Sequence, residues 1–153
     1  MARSAEEWFE TGVAAERADH PLDAVAAYRR ALALLPGFAE AWFNLGTILW
    51  ECGLYDEAAR AYGEALRHRP DLAEAWYNRG LLLAETGNLA AAIRCLTRAV
   101  AADPAYADAH YNLAQCCQWA GRRQEARRHW RRYLELDGDG SWAETARRHL
   151  AEI

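Results

Sequence analysis

The stretch AEAWFNLG at residues 39–46 returns as AEAWYNRG at residues 73–80, 34 positions further along the chain. The same period relates single residues from one end of the sequence to the other. The recurring positions are Trp8, Trp42, Trp76 and His110; Gly12, Gly46, Gly80 and Ala114; Ala24, Ala58, Ala92 and Ala126; and Pro36, Pro70 and Pro104. A fixed period of this size indicates a stacked array of one supersecondary unit.

Each unit contains two helical patterns that are separated by a short turn. In the second unit, Trp42, Leu45 and Leu49 follow helical spacing, and the next pattern ends before Pro70. We therefore predict an all-α fold of four helix pairs in a single domain, residues 1–153. The predicted repeats are 5–38, 39–72, 73–106 and 107–140.

Small residues mark two kinds of position in each unit. Gly46, Gly80 and the four periodic alanines are expected where paired helices approach most closely, because a larger side chain would overpack the contact. Gly53, Gly87 and Gly121 fit a left-handed residue at the end of each first helix. Asp19 has that place in the first unit, and Asp tolerates the conformation better than most residues.

The tail, residues 141–153, is predicted to form a capping helix. Ser141 and Glu144 have the spacing of a capping box, and an apolar stripe follows at Trp142, Ala146, Leu150 and Ile153. The end of a repeat array needs such a lid, because its last unit would otherwise expose an apolar face.

Composition indicates a globular protein, with 52% hydrophobic and 26% charged residues. The first residues lead into a polar helix and no long apolar run follows, so we predict neither a signal peptide nor a membrane span. The four cysteines, Cys52, Cys95, Cys116 and Cys117, lack C-x-x-C spacing. We expect reduced, mostly buried thiols and a cytoplasmic protein.

These residues together resemble the tetratricopeptide repeat family over positions 5–140. The fourth unit departs most, since His110, Ala114, Tyr133 and Gly138 replace Trp, Gly, Ala and Pro; terminal units are usually atypical. The resemblance implies a solenoid of antiparallel helix pairs stacked into a right-handed superhelix, in which the first helices line a concave groove. Members of the family usually bind an extended or helical peptide segment of another protein in that groove.

By that analogy the groove has three rows of side chains. The predicted binding residues are the acids Glu40, Glu74 and Asp108 (with Glu6), the rings Phe43, Tyr77 and Tyr111 (with Phe9), and the amides Asn44, Asn78 and Asn112. Trp50 and Trp119 are candidate anchors if they lie on the inner wall, and burial against a neighbouring unit is the alternative. The rows favour a basic or apolar peptide, although an average repeat carries similar residues.

Signals for chemistry are weak. The five histidines show no metal-ligand spacing, and neither a phosphate loop nor a nucleophile elbow occurs, so we predict no catalytic residue, metal or cofactor. Six arginines at 122–133 make one basic strip. We expect it to form a solvated face that pairs with Glu125, Glu135 or an external anion. With a net charge of −4, nucleic acid and membrane are not predicted partners.

The sequence therefore predicts a protein–protein interaction module of the adaptor, scaffold or co-chaperone type. It would bind an extended peptide segment of a partner in the concave groove. Two alternatives stay open: a self-associating structural protein, which would form a homo-oligomer, or the interaction domain of a larger multidomain protein.

Overall fold

The computed structural model describes residues 2–153, which form nine helices and no strand. The helices are α1 (Ala5–Arg17), α2 (Pro21–Leu34), α3 (Ala39–Glu51), α4 (Tyr55–His68), α5 (Ala73–Glu85), α6 (Leu89–Ala102), α7 (Ala107–Trp119), α8 (Arg123–Asp137) and α9 (Ala143–Glu152). The predicted all-α repeat fold is confirmed. The chain divides into two compact units, one ending at Ala75 and the other beginning at Trp76. The single-domain assignment and the repeat limits stay predictions.

The first unit packs α1 on α2, α2 on α3 and α3 on α4. Short connections make consecutive helices antiparallel. Tyr28 and Tyr62 are completely buried in its core. Gly46 lies directly above Tyr62, and a Cβ atom at residue 46 would stand 2.9 Å from Cε1 of the ring. The small residue predicted at this seam is therefore required by the bulky ring beneath it.

The second unit has its core around Leu96, Leu113, Trp130 and Tyr133, all almost completely buried. Gly80 repeats the close approach, because a Cβ atom there would lie 2.8 Å from Cγ of Leu96. In this unit α6 packs on α7, α7 on α8 and α8 on α9. The capping helix covers the core with Ala146, Leu150 and Ile153. Trp142, which was predicted to belong to the same stripe, is instead 58% exposed.

Helix ends agree with the sequence in one respect and differ in another. Gly53, Gly87, Gly121 and Asp19 all have positive φ, at 80°, 89°, 78° and 60°, as predicted. The capping box predicted at Ser141 and Glu144 is wrong. Helix α9 is preceded by Trp142 in a helical conformation and has no side-chain cap, so Ser141 lies one residue too early to cap it.

The capping box that the structure contains is at the start of α1. Ser4 Oγ accepts a hydrogen bond from the Glu7 backbone N–H at 3.1 Å, and Glu7 Oε1 accepts one from the Ser4 backbone N–H at 3.4 Å. Two N–H groups that a helix start leaves without intrahelical partners are satisfied in this way.

Substitution of Ala92 by Leu should destabilise the chain by about 1–3 kcal/mol, because the added atoms overpack a contact with no spare volume. Ala92 is completely buried. Urea unfolding would measure the loss, with Ala101→Leu as the control on an exposed position of the same helix. Equal stability of the two variants would contradict the predicted seam.

His110 takes over the structural role of the periodic Trp. In the second repeat, Trp42 Nε1 donates to the Pro36 carbonyl at 2.8 Å; in the fourth, His110 Nε2 is 2.9 Å from the Pro104 carbonyl. A carbonyl only accepts, so this nitrogen must carry the proton. His110 Nδ1 is then an acceptor, and His129 Nδ1, 3.0 Å away, is its donor.

Burial favours the neutral form of both histidines. Burial, with smaller contributions from His110 and the Arg128 charge, lowers the pKa of His129 to about 4. Burial also lowers the pKa of His110, with Arg132 acting in the same direction; the Pro104 carbonyl and the acids Asp103 and Glu135 partly oppose the change. An unfolded histidine titrates near pH 6.5. The unfolded chain thus binds more protons than the folded one as the pH falls below about 6.5.

The His pair should make stability depend on pH, with stability lost as the pH falls from about 6.5 towards 4. The matched variant is His110→Trp with His129→Ala, which copies the pair Trp42 and Ala61 of the second repeat. Urea unfolding at pH 7 and pH 5 should show a smaller loss for this variant than for the wild type. Equal losses would mean that other groups control the acid sensitivity.

Candidate functional site

The predicted binding side chains lie on the first helices at spacing i, i+3 and i+4, which places them on one helix face. In α3 these are Glu40, Phe43 and Asn44. The acid is exposed and the other two side chains are half-buried. The Phe43 ring packs against Tyr62 with 5.8 Å between centroids, and Glu40 makes a long 3.8 Å ion pair with Arg69 across exposed surface. Such a surface pair contributes little to stability.

Asn44 is oriented by a partly buried hydrogen-bond chain that runs through Tyr28 to Glu16. Tyr28 donates to the Glu16 carboxylate at 2.5 Å, so its oxygen accepts from Asn44 Nδ2 at 3.2 Å. Burial raises the pKa of Tyr28, and the bond to Glu16 adds to the effect. The phenol therefore stays protonated and keeps the amide nitrogen turned towards the protein.

In the second unit, Asn112 uses both of its donors internally. Its Nδ2 donates to the backbone carbonyl of Asp108 at 2.9 Å and to the Tyr77 hydroxyl at 3.1 Å. The carbonyl can only accept, which fixes the orientation of the amide. The side-chain oxygen of Asn112 is therefore the atom left for a ligand.

Four of the predicted residues meet in one cavity of ≈340 Å³. Tyr77, Asp108, Tyr111 and Asn112 line it together with Gln115 and Trp142. The last two were not among the predicted binding residues. Gln115 lies one helical turn beyond Asn112 on the same face, so spacing alone could have found it. Trp142 was assigned to the lid, and no local signal connects it to α7.

Aromatic contacts position the wall of this cavity. The Tyr111 ring meets the buried rings of Trp130 and Tyr133 edge to face, with centroids 4.9 Å and 5.2 Å away. On its other side it contacts the exposed Trp142 ring at 5.7 Å. Tyr77 is held by Tyr106 at 4.9 Å. The cavity therefore has aromatic walls that are supported by the core.

Asp108 supplies the one formal charge among the described residues that line the cavity. Burial, followed by the Asp108 charge, raises the pKa of Tyr77 to about 12, so its phenol is protonated at neutral pH. The site combines a carboxylate, two amide groups and aromatic surfaces. These groups suit a cation that carries an apolar stem, since ring faces and carboxylates both attract positive charge.

The other predicted residues lie elsewhere. Glu40, Phe43, Asn44 and Glu74 belong to the first unit, and Asn78 is half-buried on α5 beside Tyr77. Trp50 is half-buried at the end of α3. Trp119, at the end of α7, is 64% exposed, which rules out its burial against a neighbouring unit.

Two further expectations concern thiols and the basic strip. Cys95, Cys116 and Cys117 are buried and Cys52 is exposed, all as free thiols. In the strip, Arg122 pairs with Glu125 at 3.9 Å and Arg132 with Glu135 at 3.0 Å, as predicted. Within residues 2–153 no helix is long and apolar enough to cross a membrane.

Family models match the chain in three overlapping or adjacent segments. Models described as tetratricopeptide repeat match residues 9–59 and 83–150, and one described as TPR repeat matches residues 48–87. The chain belongs to the tetratricopeptide repeat family. This membership and the fold identify a protein-interaction repeat module, and repeats of this family are generally non-catalytic.

Solved structures show the same fold. The crystal structure of MamA protein is 22% identical, with a TM-score of 0.85 over 99% of this chain and 87% of that one. PilF of Pseudomonas aeruginosa is 21% identical, with a TM-score of 0.86 over 97% and 68%. An O-GlcNAc transferase of Thermobaculum terrenum is 25% identical, with a TM-score of 0.73, but the match covers 26% of that chain. No curated protein matches at a significant level.

Proposed function

We propose that this tetratricopeptide repeat chain binds an extended, basic segment of a partner protein with the first helices of its second unit. In the second unit, the cavity between Tyr77, Asp108, Tyr111 and Trp142 receives an Arg or Lys side chain of that segment. The observation that carries the proposal is the cavity itself, in which a carboxylate and aromatic rings from α5, α7 and the start of α9 face one space.

The chemistry of a basic side chain matches that space. Its methylene stem would lie against Tyr111 and Trp142, and its charged end would meet the Asp108 carboxylate. The Asn112 oxygen, whose amide is oriented by Tyr77 and the Asp108 carbonyl, can accept a hydrogen bond from the peptide backbone. An acceptor that is already fixed in place costs little entropy to use, which favours binding.

Peptides of fixed length test the proposal directly. Ten-residue Gly-Ser peptides with a central Arg, Gln or Glu would be titrated by fluorescence anisotropy, and we expect affinity in the order Arg, Gln, Glu. Trp142→Ala should weaken binding of the Arg peptide between about twofold and thirtyfold, which is the range expected for loss of a cation–π contact. Asp108→Asn should reduce the preference for Arg over Gln, whereas Asp56→Asn, with the same charge change on α4, should not. Equal affinity for all three peptides would refute the proposal.

The asparagine row gives a second test with partner protein captured from the native host. Asn78→Ala combined with Asn112→Ala should leave the helical circular-dichroism spectrum intact and abolish capture of the proteins that the wild type retains. Replacement of the exposed amide Gln124 by Ala, outside the proposed groove, is the control. Capture that survives the double change would remove the amide row from the binding surface.

A further inference from the structure

A second cavity in the same unit has the opposite charge. It measures ≈800 Å³ and is lined by parts of α5, α6 and α8, including Arg79, Arg94, Arg98 and Arg122. Among the described residues around it, one is acidic: Glu125, which is 3.9 Å from Arg122. The other three arginines have no carboxylate partner in residues 2–153. The cavity is therefore strongly cationic in a chain whose net charge is −4.

Arg79 has an unsatisfied donor at this place. Its Nε–H is buried and meets no hydrogen-bond acceptor within the described chain. A buried donor without a partner costs free energy, and such groups are rare in folded proteins. An oxygen atom of a bound anion would supply the missing acceptor.

The three guanidinium groups without a carboxylate partner line the same cavity. Burial raises the pKa of the Cys95 thiol, and Arg79, Arg94 and Arg98 each act against that rise through their charge. All three are thus within electrostatic reach of a single buried sulfur on α6. Arg98 also lies over the Trp76 ring, 5.0 Å from its centroid, which restricts where its guanidinium can move.

The first unit contains a matched cavity without this charge. It measures ≈650 Å³ and is lined by two arginines and two glutamates, with Arg29 and Glu57 3.5 Å apart. One period earlier than Arg79 stands Leu45, and one period earlier than Arg98 stands Glu64. The fold therefore does not require arginine at position 79. At the position of Arg98, the first repeat has Arg30, which lies over Trp8 as Arg98 lies over Trp76. Arg94 and Arg98 are both exposed and four residues apart on one helix, a like-charge arrangement that is slightly unfavourable.

We propose that this cavity binds a small molecule through its phosphate groups, with Arg79, Arg94 and Arg98 as the phosphate ligands. Guanidinium groups bind phosphate oxygens in bidentate geometry, and three positive charges match one or two phosphate groups. The volume lies within the roughly 300–1,000 Å³ of typical small-molecule sites. This cavity shares α5 with the peptide site, but the two cavities have no lining residue in common.

Inorganic pyrophosphate is the probe for calorimetric titration. A titration with sodium chloride at equal ionic strength is the blank. We expect saturable binding of one pyrophosphate per chain. Arg79→Leu with Arg98→Glu copies the residues of the first unit and should weaken binding at least about tenfold. Arg17→Leu with Arg131→Glu changes the net charge equally on exposed surface and should bind like the wild type.

Each other outcome has a definite meaning. Absence of saturable binding to the wild type, or an equal loss in the two double variants, would overturn the site. If the copied variant does not fold, Arg79→Lys with Arg98→Lys keeps the charge and removes the bidentate geometry, so unchanged binding by that variant would also overturn it. Adenosine diphosphate that binds more tightly than pyrophosphate would support an organic phosphate, and a phosphoserine peptide that binds more tightly than both would refute the small-molecule assignment.

Discussion

Within a repeat, the first helix can pack closely against the second only because one of the two facing residues has almost no side chain. Gly46 rests on the Tyr62 ring and Gly80 on Leu96, at distances that leave no room for a Cβ atom. Ala58 and Ala92 are completely buried in the same seams. Each seam fixes the rotation of the first helix about its axis, and so it decides which residues face away from the pair. As a result, the acids, rings and amides at i, i+3 and i+4 lie on one face of each first helix.

Features with a local physical cause could be predicted from the sequence. The period, the helix pairs and the positive φ angles at Gly53, Gly87, Gly121 and Asp19 all follow from side-chain size and backbone freedom. The capping box at Ser141 failed because it rested on spacing alone. The Trp142 ring contacts Tyr111 on another helix, and Trp142, not Ser141, directly precedes α9. A tertiary contact of this kind has no signature in a window of four residues.

The candidate peptide site was predictable as a set of positions but not as a chemical surface. Spacing placed Asp108, Tyr111 and Asn112 on one helix face, and they do line one cavity. Spacing could not reveal that both Asn112 donors are already used, since one of the acceptors is Tyr77, 35 residues earlier. It also could not bring Trp142 to the cavity. Hydrogen-bond direction and contacts between distant segments depend on packing, which a one-dimensional pattern does not contain.

Repetition makes the exceptional residues recognisable, because each repeat shows what the fold alone requires at a given position. Trp42 with Ala61 and His110 with His129 occupy equivalent positions, and both Trp42 and His110 bond the preceding Pro carbonyl. That replacement keeps a structural contact and adds sensitivity to acid. The change from Leu45 to Arg79 is different, because it leaves a buried donor unsatisfied. Arg98, by contrast, lies over Trp76 as Arg30 lies over Trp8. A replacement that preserves an interaction is explained by the fold, whereas the unsatisfied donor of Arg79 is the feature that the proposed phosphate site would explain.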